Sequence, residues 1–202
     1  MILLIVALTA IISYHGFLHP NFAYQLALWP YRIVRNNEWY RLVTHMFVHG
    51  GWTHLIVNML VFYSFAEALQ GVLTDMPGGR YSQTLILYFG GGIISSLVST
   101  ERKKNDETYL SIGASAGVSS LVFASICFNP WSPIYFFGLL PIPGIFFGAT
   151  YLFYSYAKGK RAEQRIDHMA HFYGAAFGVL YPMLAFRGLS THFINTLLHG
   201  PW

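Results

Sequence analysis

Charge is what this 202-residue sequence has least of. Only 10% of its residues are Asp, Glu, Lys or Arg, whereas 54% are hydrophobic and 18% aromatic. A soluble domain carries roughly 25% charged residues, so this composition excludes an ordinary soluble fold and points to a chain immersed in lipid. The net charge of +4 is spread over several segments and gathered on no single face, which excludes a nucleic-acid partner. Cysteine occurs once, at Cys127, so no internal disulfide and no cysteine-based metal cluster is available. No histidine is followed by glutamate, so the zinc-protease helix motif is missing. His45 and His49, four apart, lack a third ligand and read as hydrogen-bonding residues, and neither a metal nor another cofactor is expected. The first residues carry no basic stretch and no small-residue cleavage site, so the first apolar run is expected to be retained.

Long apolar runs are abundant. A membrane-crossing helix needs roughly 17–25 such residues. Six candidates appear: about 1–18, 52–69, 82–100, 110–128, a short one at about 143–157, and about 168–186. The expected fold is therefore an all-α membrane protein, one domain over 1–202 with six transmembrane helices and a short tail at about 187–202. The insert at 19–51 is rich in Trp, Tyr and Phe and holds Arg32, Arg35 and Arg41. It is too polar to span and too aromatic for a solvated linker, so it is expected to lie as a long first loop at headgroup depth. Phe137 to Pro143 is expected to skirt or re-enter the membrane before the fifth helix. Most basic residues fall in the odd-numbered loops: the three arginines above, then Arg102, Lys103 and Lys104, then Lys158, Lys160, Arg161 and Arg165. By the positive-inside rule alone those loops face the cytoplasm.

Small and polar residues interrupt these spans. Gly90-Gly91-Gly92, Gly113 with Gly117, and Gly174 with Gly178 predict close helix–helix approach among the third, fourth and sixth spans. Polar groups inside lipid are costly and mark function. His54 and Asn58 share one face of the second span, Ser115 opens the fourth, and His171 opens the sixth. With alternating spans, the starts of the even helices lie on one side, so a hydroxyl, two imidazoles and a carboxamide share a depth.

That grouping permits acyl transfer. A serine hydroxyl becomes a nucleophile when a neutral imidazole takes its proton. The resulting oxyanion needs preorganised donors. His54, Asn58 and the Ser115 N–H at a helix N-terminus qualify. Gly113, Ala114 and Ala116 are small enough to let a substrate backbone reach Ser115. Asp167, four residues before His171 on the same face, could be a third triad member or the N-cap of the sixth helix; the N-cap is the preferred reading, which leaves a Ser–His dyad.

These residues resemble the rhomboid family of intramembrane serine proteases. Glu38-Trp39-Tyr40-Arg41, continuing through His45 to His49, resembles the family's first-loop motif. His54-Leu55-Ile56-Val57-Asn58 resembles its H-x-x-x-N, Gly113-Ala114-Ser115-Ala116 its G-x-S-G/A, and Ala170-His171-Phe172-Tyr173-Gly174 with Gly178 its A-H-x-x-G-x-x-x-G. The resemblance implies a six-helix bundle in which Ser115 is the nucleophile and His171 the general base. His54, Asn58 and the Ser115 N–H would then stabilise the oxyanion. Trp39, Arg41, His45 and His49 would be structural anchors, and transmembrane segments of other membrane proteins the substrates. It further implies a multi-pass protein of the bacterial inner membrane with its active site on the extracytoplasmic side, against the charge distribution; the oligomeric state is left unassigned. Two departures stand out. An aromatic residue often follows the nucleophile by four and stacks on the base; Ser119 stands there, which predicts a less firmly held His171. Gln70 replaces a glutamate, with Glu67 one turn earlier.

Two other functions fit part of the pattern. An inactive relative would bind transmembrane segments as an adaptor or chaperone. A transporter would want Asp, Glu, Lys or Arg deep in the spans for an ion relay, and none lies there.

Overall fold

A computed structural model describes residues 1–74, 78–136, 138–159 and 167–200 of the chain. Lys160, Arg161 and Arg165, part of the expected basic fifth loop, lie outside the described residues, as does Phe137.

The chain is mostly helical. Helix α1 (Ile2–Leu18) leads through α2 (Pro20–Leu26), α3 (Pro30–Asn36), α4 (Arg41–Thr44) and a 3₁₀ turn (His45–Phe47). The long helices α5 (Trp52–Leu73) and α6 (Gly79–Lys103) follow, then the shorter α7 (Ser115–Phe128). A strand pair, β1 (Pro133–Phe136) and β2 (Leu140–Pro143), separates α7 from α8 (Gly144–Gly159), and α9 (His168–Ala185) and α10 (Leu189–His199) complete the fold. By length and composition α5 and α6 suffice to cross a membrane, and α9 with α10 would make a third if counted as one span, although they are bent by 112°. Helices α1 and α7 are apolar but shorter, at 17 and 14 residues. At 1.5 Å per residue α7 reaches about 21 Å, well short of a bilayer core of about 30 Å.

Three expectations need correction. The fold is not purely helical: β1 and β2 pair antiparallel, with Ile134 opposite Ile142. Pro130 and Pro133 stop α7 from continuing, and the hairpin is pinned where Gly144 and Ile145 donate to the carbonyls of Ser132 and Pro130. The segment after residue 186 is no bare tail. Gly188, at φ +83°, turns the chain into α10, which docks where the Trp131 indole donates to the Thr196 carbonyl at 2.9 Å. Helix α7 begins at Ser115, not near Leu110, because residues 111–114 are bonded to the first loop, Ser111 to Leu28, Gly113 to the His45 carbonyl and Ala114 to the His49 ring.

Within that loop, Arg41 is fully buried, and its guanidinium donates to Glu38 and to the carbonyls of Tyr24 and Ala27 at 2.8 and 2.7 Å. This ties α2 to α4 as the anchor role anticipated. Trp39 does not serve that way, for half of it is exposed. Trp29 takes its place, donating to the Glu107 carbonyl and lying under the Arg32 and Arg41 guanidinium groups.

The centre is α7, packed against α6, α9 and α5. Gly174 and Gly178 of α9 sit directly on the backbone of α7. A methyl group added at either would collide with the carbonyl oxygens of Ala116 and Ser120. Backbone cannot retreat as a flexible side chain does, so these two glycines set the distance between the helices. From α6, Gly91 meets Ser120 while Gly90 and Gly92 receive Phe177 and Met46; Gly117 faces the Tyr88 carbonyl.

A paired substitution tests this. Gly174→Ala should destabilise the protein by about 1–3 kcal/mol through overpacking. Gly71→Ala on α5, where nothing lies within 4 Å of the added methyl, should stabilise by up to about 1 kcal/mol through helix propensity. Unfolding in detergent micelles would measure both, and equal effects would refute the close-contact assignment.

Candidate active site

The approach to Ser115 is fixed by backbone bonds. Leu28 and Ser111 exchange two hydrogen bonds of 2.9 and 3.1 Å, and the Gly113 N–H donates to the His45 carbonyl at 2.9 Å. The Ala114 N–H donates to His49 Nε2 at 3.3 Å. Gly113 turns the chain at φ +121°, and an added Cβ would meet the His54 ring at 2.8 Å, so conformation and space both require glycine. The helix then starts, and Ser115 is its first residue. Its N–H has no hydrogen-bond partner among the described residues, as expected in a first turn, and remains a free donor.

The Ser115 hydroxyl lies 2.6 Å from His171 Nε2. His171 is in the first turn of α9, whose N-cap is Asp167. The Asp167 carboxylate accepts from the Ala170 N–H at 2.9 Å, from Ser99 at 3.1 Å and from the Tyr109 hydroxyl. It makes no hydrogen bond to the His171 ring, so it caps the helix, as the sequence indicated.

His54 and Asn58 line the same cavity as Ser115 and His171, a hollow of about 1240 Å³. His54 Nδ1 accepts the Gly50 N–H at 3.3 Å, which assigns the proton of the neutral ring to Nε2 and leaves a donor there. Asn58 donates one amide hydrogen to the His54 carbonyl at 2.8 Å, leaving the second uncommitted. Gly113 and Ala116 also reach the cavity, but Ala114 does not. Its side chain is fully buried and its N–H is spent on His49, so its smallness serves packing where substrate contact was expected. The carbonyl of Ala116 likewise carries the contact with Gly174.

A family model for the Rhomboid domain matches residues 36–188. The chain belongs to the Rhomboid family. It is 35% identical over 88 residues to "Putative rhomboid protease YdcA" of Bacillus subtilis, covering 44% of this chain and 40% of that protein. It is 32% identical over 146 residues to the mitochondrial presenilin-associated rhomboid-like protein A of Danio rerio, covering 69% of this chain and 36% of that one. Over 159 residues it is 27% identical to rhomboid-like protease 5 of Toxoplasma gondii, covering 77% and 17%. The chain thus spans less than half the length of these relatives.

Rhomboid motifs did not reveal every residue at the site. Tyr151 of α8 stacks on His171 with ring centroids 6.5 Å apart and planes 14° apart, and its hydroxyl bonds the Ser119 hydroxyl at 2.8 Å. This corrects the expectation of a loosely held His171: the missing ring comes from another helix. No spacing within one helix could have announced it. Ser13 of α1 was also missed. It donates to the Phe47 carbonyl at 2.9 Å and so receives the Nδ1–H of His49 at 3.0 Å.

His49 therefore works only as a neutral ring, accepting from Ala114 through Nε2. Burial, reinforced by the nearby His54 and His45, lowers its pKa to about 3, and burial likewise lowers His45 to about 4. An unfolded histidine titrates near 6.5. Since the folded values lie below the unfolded one, the stability these rings contribute is complete above about pH 6.5 and declines as pH falls toward 4. Melting in micelles should show a falling Tm between pH 7 and 5, with a shallower fall in His49→Gln. A flat wild-type profile would contradict the neutral-ring assignment.

Proposed function

We propose that this chain is an intramembrane serine endopeptidase that cleaves transmembrane segments of other membrane proteins. The observation that carries the reading is the 2.6 Å contact between the Ser115 hydroxyl and His171 Nε2 beside a cavity that His54 and Asn58 also line. In the proposed reaction His171 Nε2 takes the hydroxyl proton as Ser115 Oγ attacks the scissile carbonyl carbon. The oxyanion forms opposite the Ser115 N–H, the His54 Nε2–H and the second Asn58 amide hydrogen. Each such donor lowers the barrier by on the order of 2.7–4 kcal/mol. The imidazolium then protonates the departing amine as the C–N bond breaks, leaving an acyl ester on Ser115. Water, deprotonated by His171, attacks the ester and releases the new carboxylate and the restored hydroxyl. The second reading, an inactive membrane-segment binder, differs in having no reactive serine.

A fluorophosphonate probe separates the two. The wild type in detergent micelles should be labelled, and Ser115→Ala should lose the label. His171→Ala should cut cleavage of a transmembrane peptide by about 10³-fold or more, as removal of a nucleophile's base does elsewhere. Persistent labelling of Ser115→Ala would remove the nucleophile assignment.

The six-span arrangement belongs to the same proposal, with α1, α5, α6, α7, α8 and α9 as spans, the first loop at headgroup depth and the site opening to the extracytoplasmic side of a bacterial inner membrane. The short α7 fits a span whose first part is the non-helical segment 110–114. Cys127 is buried, so Asn105→Cys would provide one accessible thiol. A membrane-impermeant maleimide should label it in intact cells, and labelling only after permeabilisation would invert the proposed orientation.

A further inference from the structure

The pair made by Ser119 and Tyr151 carries an inference that rests on the proposed dyad. A hydrogen bond to Ser115 constrains His171 at one atom only. Rotation of the imidazole about its Cβ–Cγ bond carries Nε2 away from the hydroxyl, so the ring plane needs a second restraint. Tyr151 supplies one, its ring lying nearly parallel to the imidazole and stacked on it. Its ring also meets Phe147 at 6.0 Å and 21° and Phe123 at 5.7 Å and 50°. Its hydroxyl is tethered to Ser119, one turn after Ser115 on the same helix. His168 also meets His171, with the rings edge-to-face at 6.1 Å. Rings 4.5–7 Å apart in offset geometry attract by about 0.5–1.5 kcal/mol, enough to bias one rotamer of the base.

We propose that Tyr151 is a positioning residue for His171, held by Ser119, so that α8 contributes the plane of the base while α7 and α9 contribute the reacting atoms. The tether returns to the nucleophile's own helix, so Ser115, Ser119, Tyr151 and His171 form a loop across three helices. Phe147 is the natural control. It stacks on Tyr151 from the same helix but makes no ring contact with His171.

The experiment uses the full chain in detergent micelles with a transmembrane peptide substrate. Cleavage by the wild type and its loss in Ser115→Ala test the dyad itself, independently of any role for Tyr151. Misplacing a catalytic group by about 1 Å costs on the order of 10²-fold, so Tyr151→Leu should lower kcat by about 10- to 100-fold while KM stays within about 2-fold. Tyr151→Phe, which keeps the ring but loses the tether, should fall between wild type and Tyr151→Leu, and Phe147→Leu should hold kcat within about 3-fold of wild type. The proposal is overturned by an unchanged kcat in Tyr151→Leu, by an equal loss in Phe147→Leu, or by a Tyr151→Phe as impaired as Tyr151→Leu. Should Tyr151→Leu not fold, Ser119→Val decides, because it removes the hydroxyl that tethers Tyr151. A fall in kcat with KM held supports the proposal, and an unchanged kcat overturns it.

Discussion

Two places where one helix backbone rests on another determine the geometry of this protein. Gly174 and Gly178 lay α9 against the carbonyls of Ala116 and Ser120 on α7. Gly174 lies three residues after His171, and Ala116 directly follows Ser115. The contact that sets the helix separation is therefore less than one turn from both members of the proposed dyad. A hydrogen bond of 2.6 Å tolerates little error. Side chains could not set it so closely, since a layer of Leu or Val would hold helices 8–10 Å apart in a variable way. Backbone on backbone leaves almost no slack, and lipid, as apolar as any side chain, supplies no force that would favour a larger interface instead.

Against that fixed separation, the start of α7 needs its own restraint, because an apolar run does not say where its first turn forms. The first loop supplies it. His45 accepts from Gly113 through its carbonyl and bonds Ser96 of α6 through Nε2 at 2.7 Å. His49 accepts from Ala114 and leans on Ser13 of α1. Two histidines thus take the N–H groups just before Ser115 and leave its own N–H free. Were those earlier N–H groups unpaired, the helix could begin earlier and carry the hydroxyl out of register with His171. Arg41 plays the equivalent role further out, satisfying carbonyls of α2 that would otherwise be buried without partners.

Much of this was legible in the sequence for a specific reason: where lipid forbids polar groups, those that occur stand out. His54, Asn58, Ser115 and His171 were visible that way, as were the glycines that bring their helices together. What stayed hidden depends on contacts between elements. Tyr151 is one of 14 tyrosines, and nothing near it in the chain distinguishes it from Tyr154 or Tyr156. Its meaning comes from Ser119, thirty-two residues earlier. The Pro133–Pro143 hairpin reads as a prolyl loop because proline lowers strand propensity, yet its prolines stand at the ends and beside the turn, where a two-stranded ladder tolerates them. Trp39 and Trp29 are equally aromatic, and only the buried guanidinium of Arg41 decides that Trp29 packs and Trp39 is exposed. Helix α10 looked like a tail because His192, Asn195 and the threonines break its apolar run. Of these, His192 docks it by its side chain, bonding the Phe128 carbonyl at 3.0 Å, beside the backbone carbonyl of Thr196 that accepts from Trp131.

The same economy of charge governs the proposed chemistry. An ion buried in lipid is expensive, and the reacting groups at rest are a hydroxyl, neutral imidazoles and an amide. The nearest carboxylate, Asp167, is fully engaged by Ala170, Ser99 and Tyr109 at the cap of α9. Its charge lies at the positive end of that helix, where it is stabilised, and it orients the first turn that carries His171 without bonding the ring. Charge therefore needs to appear only during turnover, as an imidazolium beside an oxyanion. The two form together within one cavity, so each screens the other, and the N-terminus of α7 faces the negative member. A dyad suits this setting better than a triad: a third, ionised partner bonded to His171 would have to be kept charged inside the bundle through every step, whereas a capping aspartate keeps its charge at the helix end.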